Sequence, residues 1–393
     1  MGRARIQIVL AAVLAATACS TPAPPPKHAK QPKHDQRTLL KEAQDDARNG
    51  DYDASDKAFA QAYDQSKDFE VLEDRVDMLI HVAGKASKAV AVAKSYYDAN
   101  FSDPKGFNLY AEALLAADDG ENALKIADEI LKLNPDDPAG HEKRGRALIE
   151  LEKNEDGLDE LRRAKDLDSK SSTYHLALGT ALLQLKHVDE AALEFRAAIK
   201  ANPDDSDASV QLGAALRQQQ EFDESKSYLD KAIELDPRSG AAHFELGLLY
   251  NAENNQADAE VELLKAVQLS PNNSLYWYGA GELYRLEERY DDALRAYKKA
   301  VDIDPPYPKA LQKLGGILLD RKMYDDAEIV LTQAIYREKS NATNYFNLAL
   351  AEAAKGKTKA AIDNLETYLK KAPKGDADLE KAKETLEKLK RKR

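Results

Sequence analysis

The apolar positions of this chain follow a helical period in paired short segments, most clearly between residues 274 and 307. The first segment carries Trp277, Ala280, Gly281 and Tyr284, and the second carries Tyr290, Ala293, Tyr297 and Ala300. Spacings of three and four residues are typical of amphipathic α-helices. The pattern therefore predicts two helices, and Pro305 ends the second because proline cannot continue the hydrogen-bond ladder.

Glycines and prolines recur along the chain at one fixed period. The glycines Gly145, Gly179, Gly213, Gly247, Gly281 and Gly315 lie 34 residues apart. The prolines Pro135, Pro203, Pro237, Pro271, Pro305 and Pro373 keep the same register at multiples of that period. Thirty-four residues is about the length of a helix–turn–helix unit that stacks into a solenoid. We therefore predict an all-α fold with a long curved surface in place of one globular core.

The 34-residue pattern strongly resembles the tetratricopeptide repeat, which has Gly or Ala at position eight, Ala at twenty and Pro at thirty-two. The resemblance covers ten units, at 36–69, 70–103, 104–137, 138–171, 172–205, 206–239, 240–273, 274–307, 308–341 and 342–375. It implies a right-handed α-solenoid in which the small residue at position eight lets the paired helices approach closely. The first two units and the tenth are less regular, with Asp77 at position eight of the second. Residues 376–393 are predicted to form a capping helix with a basic tail.

The first 18 residues have the composition of an export signal. Arg3 and Arg5 precede a short apolar run that ends at Ala16. That run is too short for a bilayer, which needs about 20 apolar residues. The segment also resembles a bacterial lipobox, in which a small residue precedes a cysteine that becomes lipidated, and that cysteine is Cys19 here. The sequence departs from the usual box at Ala16, where leucine is usual. We expect cleavage after residue 18 and lipidation of Cys19. A soluble secreted or periplasmic protein is the alternative.

The residues after the cysteine bear on location. Lipidation would give Cys19 enough acyl chains for stable membrane attachment. Ser20 follows it, in place of the aspartate that tends to retain lipoproteins in the inner membrane of enteric bacteria, so the resemblance implies an outer-membrane protein facing the periplasm. Residues 19–35 include five prolines, and after Cys19 their other apolar residues are all alanine. A flexible tether is expected there.

Charge and cysteine usage exclude several classes of function. The formal net charge is −12, from 69 acidic and 57 basic residues. A chain this acidic repels phosphate backbones, so no nucleic-acid partner is predicted. The single cysteine excludes an internal disulfide framework and a cysteine-based zinc cluster.

Features that suggest site chemistry all occupy ordinary repeat positions. His141, His175 and His243 each stand at position four of a separate repeat, where a bulky packing residue is usual, so they are not expected to converge on a metal. Gly356-Lys357-Thr358 lacks the glycine that a phosphate-binding loop has five residues earlier. We found no catalytic motif. The sequence therefore predicts no enzyme activity, cofactor, metal or small-molecule substrate.

The inner surface of the solenoid is the predicted binding site. In the resembled family, positions two, five, nine and twelve of the first helix point inward. The candidates at positions five, nine and twelve are Leu176, Thr180, Val210, Arg217, Phe244, Leu248, Asn251, Tyr278, Glu282, Arg285 and Phe346. An apolar ridge flanked by Arg and Asn suits an extended or helical peptide. The alternative is that some of these side chains only pack between neighbouring first helices.

These features predict a lipid-anchored periplasmic scaffold that binds a protein or peptide in its groove. Resemblance to tetratricopeptide lipoproteins of Gram-negative bacteria implies a role in envelope, pilus-secretin or outer-membrane protein assembly. A component of an exopolysaccharide synthesis and export complex is an alternative, since Tyr276, Trp277 and Tyr278 would suit sugar stacking. A soluble secreted adaptor is another.

Overall fold

A computed structural model describes residues 35–82, 84–101 and 103–391, and in these ranges the chain forms twenty-one α-helices and no strand. The first helices of ten successive pairs are α1 (Gln36–Arg48), α3 (Phe69–Asp77), α5 (Pro104–Ala116), α7 (Pro138–Glu150), α9 (Ser172–Gln184), α11 (Ser206–Gln218), α13 (Gly240–Ala252), α15 (Ser274–Leu286), α17 (Pro308–Asp320) and α19 (Ala342–Ala354). The second helices are α2 (Tyr52–Ser66), α4 (Ala86–Ala99), α6 (Gly120–Leu133), α8 (Asn154–Leu167), α10 (Val188–Ala201), α12 (Phe222–Leu235), α14 (Gln256–Leu269), α16 (Tyr290–Ile303), α18 (Tyr324–Arg337) and α20 (Thr358–Lys371). The last helix is α21 (Leu379–Arg391). The all-α solenoid that the repeat predicts is confirmed.

The glycine series marks the points where paired helices touch. A Cβ added at Gly179 would lie 2.6 Å from Phe195 Cε1, and one added at Gly213 would lie 2.6 Å from Leu229 Cγ. In every member of the series the nearest side chain belongs to the residue sixteen positions later, in the second helix. A larger residue would force the two helices apart, so the sequence period is a packing requirement.

The turn inside each helix pair has its own repeated conformation. The fifteenth residue of every repeat has a positive φ, and in most repeats it is not glycine: Gly50, Gly84, Asp118, Glu152, Lys186, Gln220, Asn254, Glu288, Lys322 and Gly356. In one such turn the His187 backbone N–H donates to the Leu182 carbonyl at 2.9 Å. A left-handed residue of this kind ends a helix and satisfies its last carbonyls.

The second pair departs from the pattern where the sequence does. Helix α3 ends at Asp77 and continues as a π-helical turn, Met78–Val82, before α4 begins. An aspartate at position eight cannot permit the close approach that glycine permits elsewhere. The wider helical turn carries the chain past this point.

The solenoid winds back on itself. Arg238, in the turn before α13, donates from Nη2 to the backbone carbonyl of Arg48 at 3.1 Å, across 190 residues of sequence. Asp304 and Asp118 form a second long-range contact of this kind. The pKa of Asp304 is raised mainly by burial and further by the nearby negative charge of Asp118. In both cases the turn inside one repeat meets the turn after the repeat five units later. The solenoid therefore completes about one superhelical turn in five repeats, and the first helices enclose a groove inside it.

The C-terminal end of the solenoid is covered by α21. Ala382 and Leu386 are buried in a cluster with Phe346, Leu365 and Tyr368 of the tenth pair. Among the described helices, none has the length and apolar composition needed to cross a membrane.

Candidate partner-binding groove

Three of the predicted groove residues are buried, which corrects the expectation of an exposed apolar ridge. The exposed fractions of Val210, Phe244 and Phe346 are 3%, 5% and 2%. The Phe346 ring lies 5.0 Å from the Tyr368 ring, centroid to centroid. Position five is therefore a packing position in these repeats, because the side chain there fills the space between neighbouring helices.

The charged candidates are held in ion pairs. Arg217 donates to Glu245 at 2.9 Å, and Glu282 lies 3.2 Å from both Arg285 and Lys313. The Arg217–Glu245 and Glu282–Lys313 pairs link adjacent first helices along the groove wall, whereas the Glu282–Arg285 pair lies within α15. A partner would have to break them before it could use these side chains.

Glu282 also belongs to an aromatic layer beneath the groove. Its carboxylate accepts a hydrogen bond from the Tyr297 hydroxyl. Burial opposes ionisation, yet that hydrogen bond and the positive charge of Lys313 hold the pKa of Glu282 below its usual value. Tyr278 is half-buried, with ring centroids 5.8 Å from Tyr297 and 5.4 Å from Tyr307. The wall at α15 is thus a connected network, in which the buried Nε of Arg285 alone lacks a hydrogen-bond partner among these side chains.

The row of aromatic residues at the start of α15 does not form an open stacking platform. Tyr276 is 7% exposed and lies under Phe244. The indole N–H of Trp277 donates to the Pro271 carbonyl at 2.9 Å. The proposed sugar-stacking row is therefore wrong for Tyr276, which is part of the core.

The remaining candidates are Leu176, Thr180, Leu248 and Asn251, which are half-buried or exposed. The first two line a cleft of about 400 Å³, together with Glu142, Arg146, Ile149, Glu150, Thr173, Ala177, Ala181 and Gln184. The residues that α9 contributes to this cleft are all uncharged. The structure therefore brings Leu176 and Thr180 together at one accessible site and uses most of the other candidates in packing or pairing.

A half-buried charge network that the sequence did not predict borders this cleft through Glu142 and Arg146. Arg146 donates to Glu112 at 2.8 Å and to Glu142 at 3.0 Å, and Lys143 contacts both carboxylates. Although burial opposes ionisation of Glu112, the positive charges of Lys143 and Arg146 lower its pKa to about 2. The sequence does carry one signal for this ion pair: Glu112 and Arg146 have opposite charges and occupy position nine of consecutive repeats.

The three position-four histidines join the two helices of their own repeats to the end of the preceding repeat. Nδ1 of His141, His175 and His243 lies 2.5, 2.5 and 2.6 Å from a glutamate nineteen residues later. Nε2 of each faces a backbone carbonyl six residues earlier. Each ring therefore bridges its own repeat and the end of the preceding repeat, and the sequence signal for this contact is the glutamate nineteen residues after each histidine.

Two other sequence features can be placed. Gly356 lies in the turn between α19 and α20 with φ of 75°. No group of three or more His, Cys, Asp or Glu side chains that could hold a metal occurs in the part of the chain that the structure describes. Cys19 and the proline-rich segment lie outside the described residues.

Comparison with known sequence families agrees with this architecture. Residues 108–172, 142–206, 176–225 and 210–274 match one family model described as tetratricopeptide repeat, and residues 284–351 match a second with the same description. No curated protein matches the chain in sequence.

Solved structures show the same fold at low sequence identity. The APC/C hetero-tetramer Cut9–Hcn1 aligns with a TM-score of 0.54 and 16% identity, over 90% of this chain and 76% of that one. Yeast Tom70 aligns with a TM-score of 0.52 and 14% identity, over 91% of this chain and 96% of that one. Similarity at this level establishes the fold and does not identify a binding partner.

Proposed function

The chain belongs to the tetratricopeptide repeat family, and from that premise we propose that it is a non-enzymatic scaffold whose groove binds an extended segment of another protein. The cleft at Leu176 and Thr180 is the observation that carries this proposal. It is concave, accessible and partly apolar, and it lies on a row of packed helices. Such a surface offers shape and apolar contact to a peptide.

Substitution of Thr180 tests this function. Thr180 is exposed on the inner helix α9, and its hydroxyl donates only to the Leu176 carbonyl one turn earlier, at 2.8 Å. Thr180→Arg should fill the cleft and abolish recovery of the partner after crosslinking in cells. Leu193→Arg is the matched control, because Leu193 lies in the same repeat on α10 and is 67% exposed. Equal partner recovery from both variants, with unchanged thermal unfolding, would contradict the proposal.

The proposed location is the periplasmic face of the outer membrane, with attachment through acyl chains on Cys19. The support is the sequence before the solenoid: a basic start, a short apolar run and a cysteine at the cleavage point. Cys19→Ser should move the protein from the membrane fraction to the periplasmic fraction. Mass spectrometry of the mature N-terminus should show acyl chains in the wild type. Unchanged fractionation of the variant would reject the anchor and leave the groove function untouched.

The proposed process is assembly in the bacterial envelope, of a pilus secretin or of outer-membrane proteins. A groove that holds one segment while the protein is tethered to a membrane suits delivery of a client to an assembly site. Identification of the crosslinked partner tests this step. A partner that synthesises or exports polysaccharide would favour the exopolysaccharide alternative.

A further inference from the structure

We infer that the segment held in the groove is cationic, with an aliphatic residue between two basic residues. The inference rests on the proposed function, because it specifies the chemistry of the segment that the groove would hold. It follows from how charge is distributed around the α9 cleft.

The floor of the cleft has no charge of its own. Helix α9 contributes only uncharged residues to the cleft, with Ala181 buried beneath the others: Thr173, Leu176, Ala177, Thr180 and Gln184. Ile149 of α7 adds an aliphatic edge. An aliphatic side chain placed here would exclude water from Leu176 and Ile149 at little cost in lost polar contacts.

A free carboxylate borders the cleft on one side. Glu150 is the last residue of α7 and is exposed, and it makes no hydrogen bond or ion pair with any other residue in the described ranges. Arg146, one turn earlier, directs its guanidinium to Glu112 and Glu142. Since Arg146 is already engaged, Glu150 keeps an open position for a cation.

The electrostatic surroundings of Glu150 favour that cation further. Its pKa is raised to about 7 by partial burial and by the negative charges of Asp118, Asp119 and Glu112, against the positive charge of Arg146. The Glu150 carboxylate is close to Gly120, where Oε2 would lie 2.8 Å from an added Cβ. A basic side chain arriving here would relieve repulsion as well as form an ion pair.

A second free carboxylate lies beyond the cleft, on the first helix that follows α9. Asp207 is the second residue of α11, is exposed, and has no hydrogen bond or ion pair within the described part of the chain. Burial raises its pKa, Asp205 and Asp236 act in the same direction, and His81 approaches from the second repeat and opposes them. The uncharged floor thus lies between carboxylates from the two flanking repeats.

The separation of these carboxylates sets the length of the segment. Glu150 is at the end of α7 and Asp207 is near the start of α11, and each of these helices has 13 residues. At about 1.5 Å per residue, the two carboxylates are therefore about 18 Å apart along the helix axes. They are two helices apart, at roughly 10 Å per helix. The diagonal is therefore roughly 25 Å, which an extended segment spans with about seven or eight residues. We expect basic residues at about that spacing, with the aliphatic residue between them.

Fluorescence anisotropy with labelled nine-residue peptides tests the inference on the purified full chain. The probe has lysine at positions one and eight, leucine at position four, and serine or glycine elsewhere. We expect it to bind at least tenfold more tightly than the same peptide with both lysines replaced by glutamate, and more tightly than one with leucine replaced by serine. Affinity should fall with added salt.

Protein variants assign the effect to the two carboxylates. Glu150→Gln and Asp207→Asn should each weaken binding of the lysine peptide about five- to tenfold. Asp159→Asn is the matched control, because it makes the same change in net charge at an exposed position on α8. Absence of binding, equal binding of the lysine and glutamate peptides, or no effect of both variants would overturn the inference.

Two further outcomes separate this inference from the function on which it rests. If Thr180 crosslinks in cells to a partner segment without basic residues, the groove function holds and the cationic specificity is wrong. A peptide of residues 20–34 carries Lys27, Lys30 and Lys33. If it competes tenfold better than the lysine probe, the occupant is the chain's own linker, and the inference of a separate cationic partner fails.

Discussion

Phe244 stacks on Tyr276 of the following repeat, with ring centroids 4.8 Å apart and planes inclined by 29°. The Phe244 ring also fills the space over Gly279, where an added Cβ would lie 2.5 Å from Cε2. Because the ring joins α13 to α15, its loss should act on stability. We expect Phe244→Ala to lower the free energy of unfolding by about 3 kcal/mol in urea denaturation.

The comparison variant for Phe244 is Leu176→Ala. Leu176 is only half-buried, so truncation should cost less than about 1 kcal/mol of stability while it weakens partner binding. Similar losses of stability for the two variants would mean that Leu176 is part of the core and that the groove has been placed wrongly.

Adjacent glycines in α17 should respond in opposite ways to the same substitution. A Cβ at Gly315 would lie 2.6 Å from two carbons of Leu331, whereas a Cβ at Gly316 would meet nothing within 4 Å. Gly315→Ala should lower the free energy of unfolding by about 2 kcal/mol through overpacking. Gly316→Ala should raise it by about 0.5 to 1 kcal/mol, because alanine favours the helix. Thermal unfolding of both variants checks this, and a stable Gly315→Ala would show that the close helix contact is not required.

Asn344 is fully buried in α19, and neither polar atom of its side-chain amide has a hydrogen-bond partner. The same repeat position holds a buried alanine in α11, α13 and α17. Removal of an unsatisfied buried amide should be favourable, so Asn344→Ala is expected to stabilise the protein by about 1 kcal/mol. The reverse change, Ala310→Asn, should destabilise it by about 1 to 3 kcal/mol. A destabilised Asn344→Ala would indicate that the amide has a role in the folded state.

Glu150 should make stability depend on pH near neutrality. Its pKa in the folded state is raised from 4.5 to about 7 by burial and by Asp118, against Arg146. A carboxyl group with a raised pKa contributes stability that is fully present below the unfolded value and is lost as the pH rises through about 7. Since Glu150 is exposed, solvent screening limits the contribution to about 1 kcal/mol.

Urea unfolding at pH 5 and pH 8 checks this effect. Wild-type protein should lose stability between the two values, and Glu150→Gln should reduce that loss by about 1 kcal/mol. Asp159→Asn should leave the loss unchanged. An identical pH dependence in wild type and Glu150→Gln would show that the Glu150 carboxyl titrates as it does in the unfolded chain.

The parts of this fold that sequence predicts are those that every repeat must satisfy. The Gly179–Phe195 contact recurs in the six repeats that have glycine at position eight, with Leu, Phe or Tyr as its partner, so its period is visible along the chain. The left-handed turn residue recurs as well, yet it was missed because side chains as different as Lys186 and Asn254 occupy it. A conformation imposed by the stacked helices leaves little trace in residue type.

The groove was less predictable because exposure depends on how tightly the solenoid winds. Phe244 and Leu248 both belong to inward positions of α13, but only Phe244 is buried by the next repeat. Contacts that join distant turns, such as Arg238 with Arg48, connect residues 190 positions apart and leave no pattern in the local sequence. Burial in this molecule is therefore set by long-range geometry that local patterns do not encode.

The central claim is that the inner surface at α9 binds a protein partner. The most direct test replaces Thr180 with a photoreactive amino acid in the full chain, in the native cell, with the same replacement at Leu193 on the outer helix as control. The account predicts that light joins Thr180 to one discrete protein and that Leu193 gives no such product. Crosslinking of that protein equally from both positions, or from Leu193 alone, would contradict it.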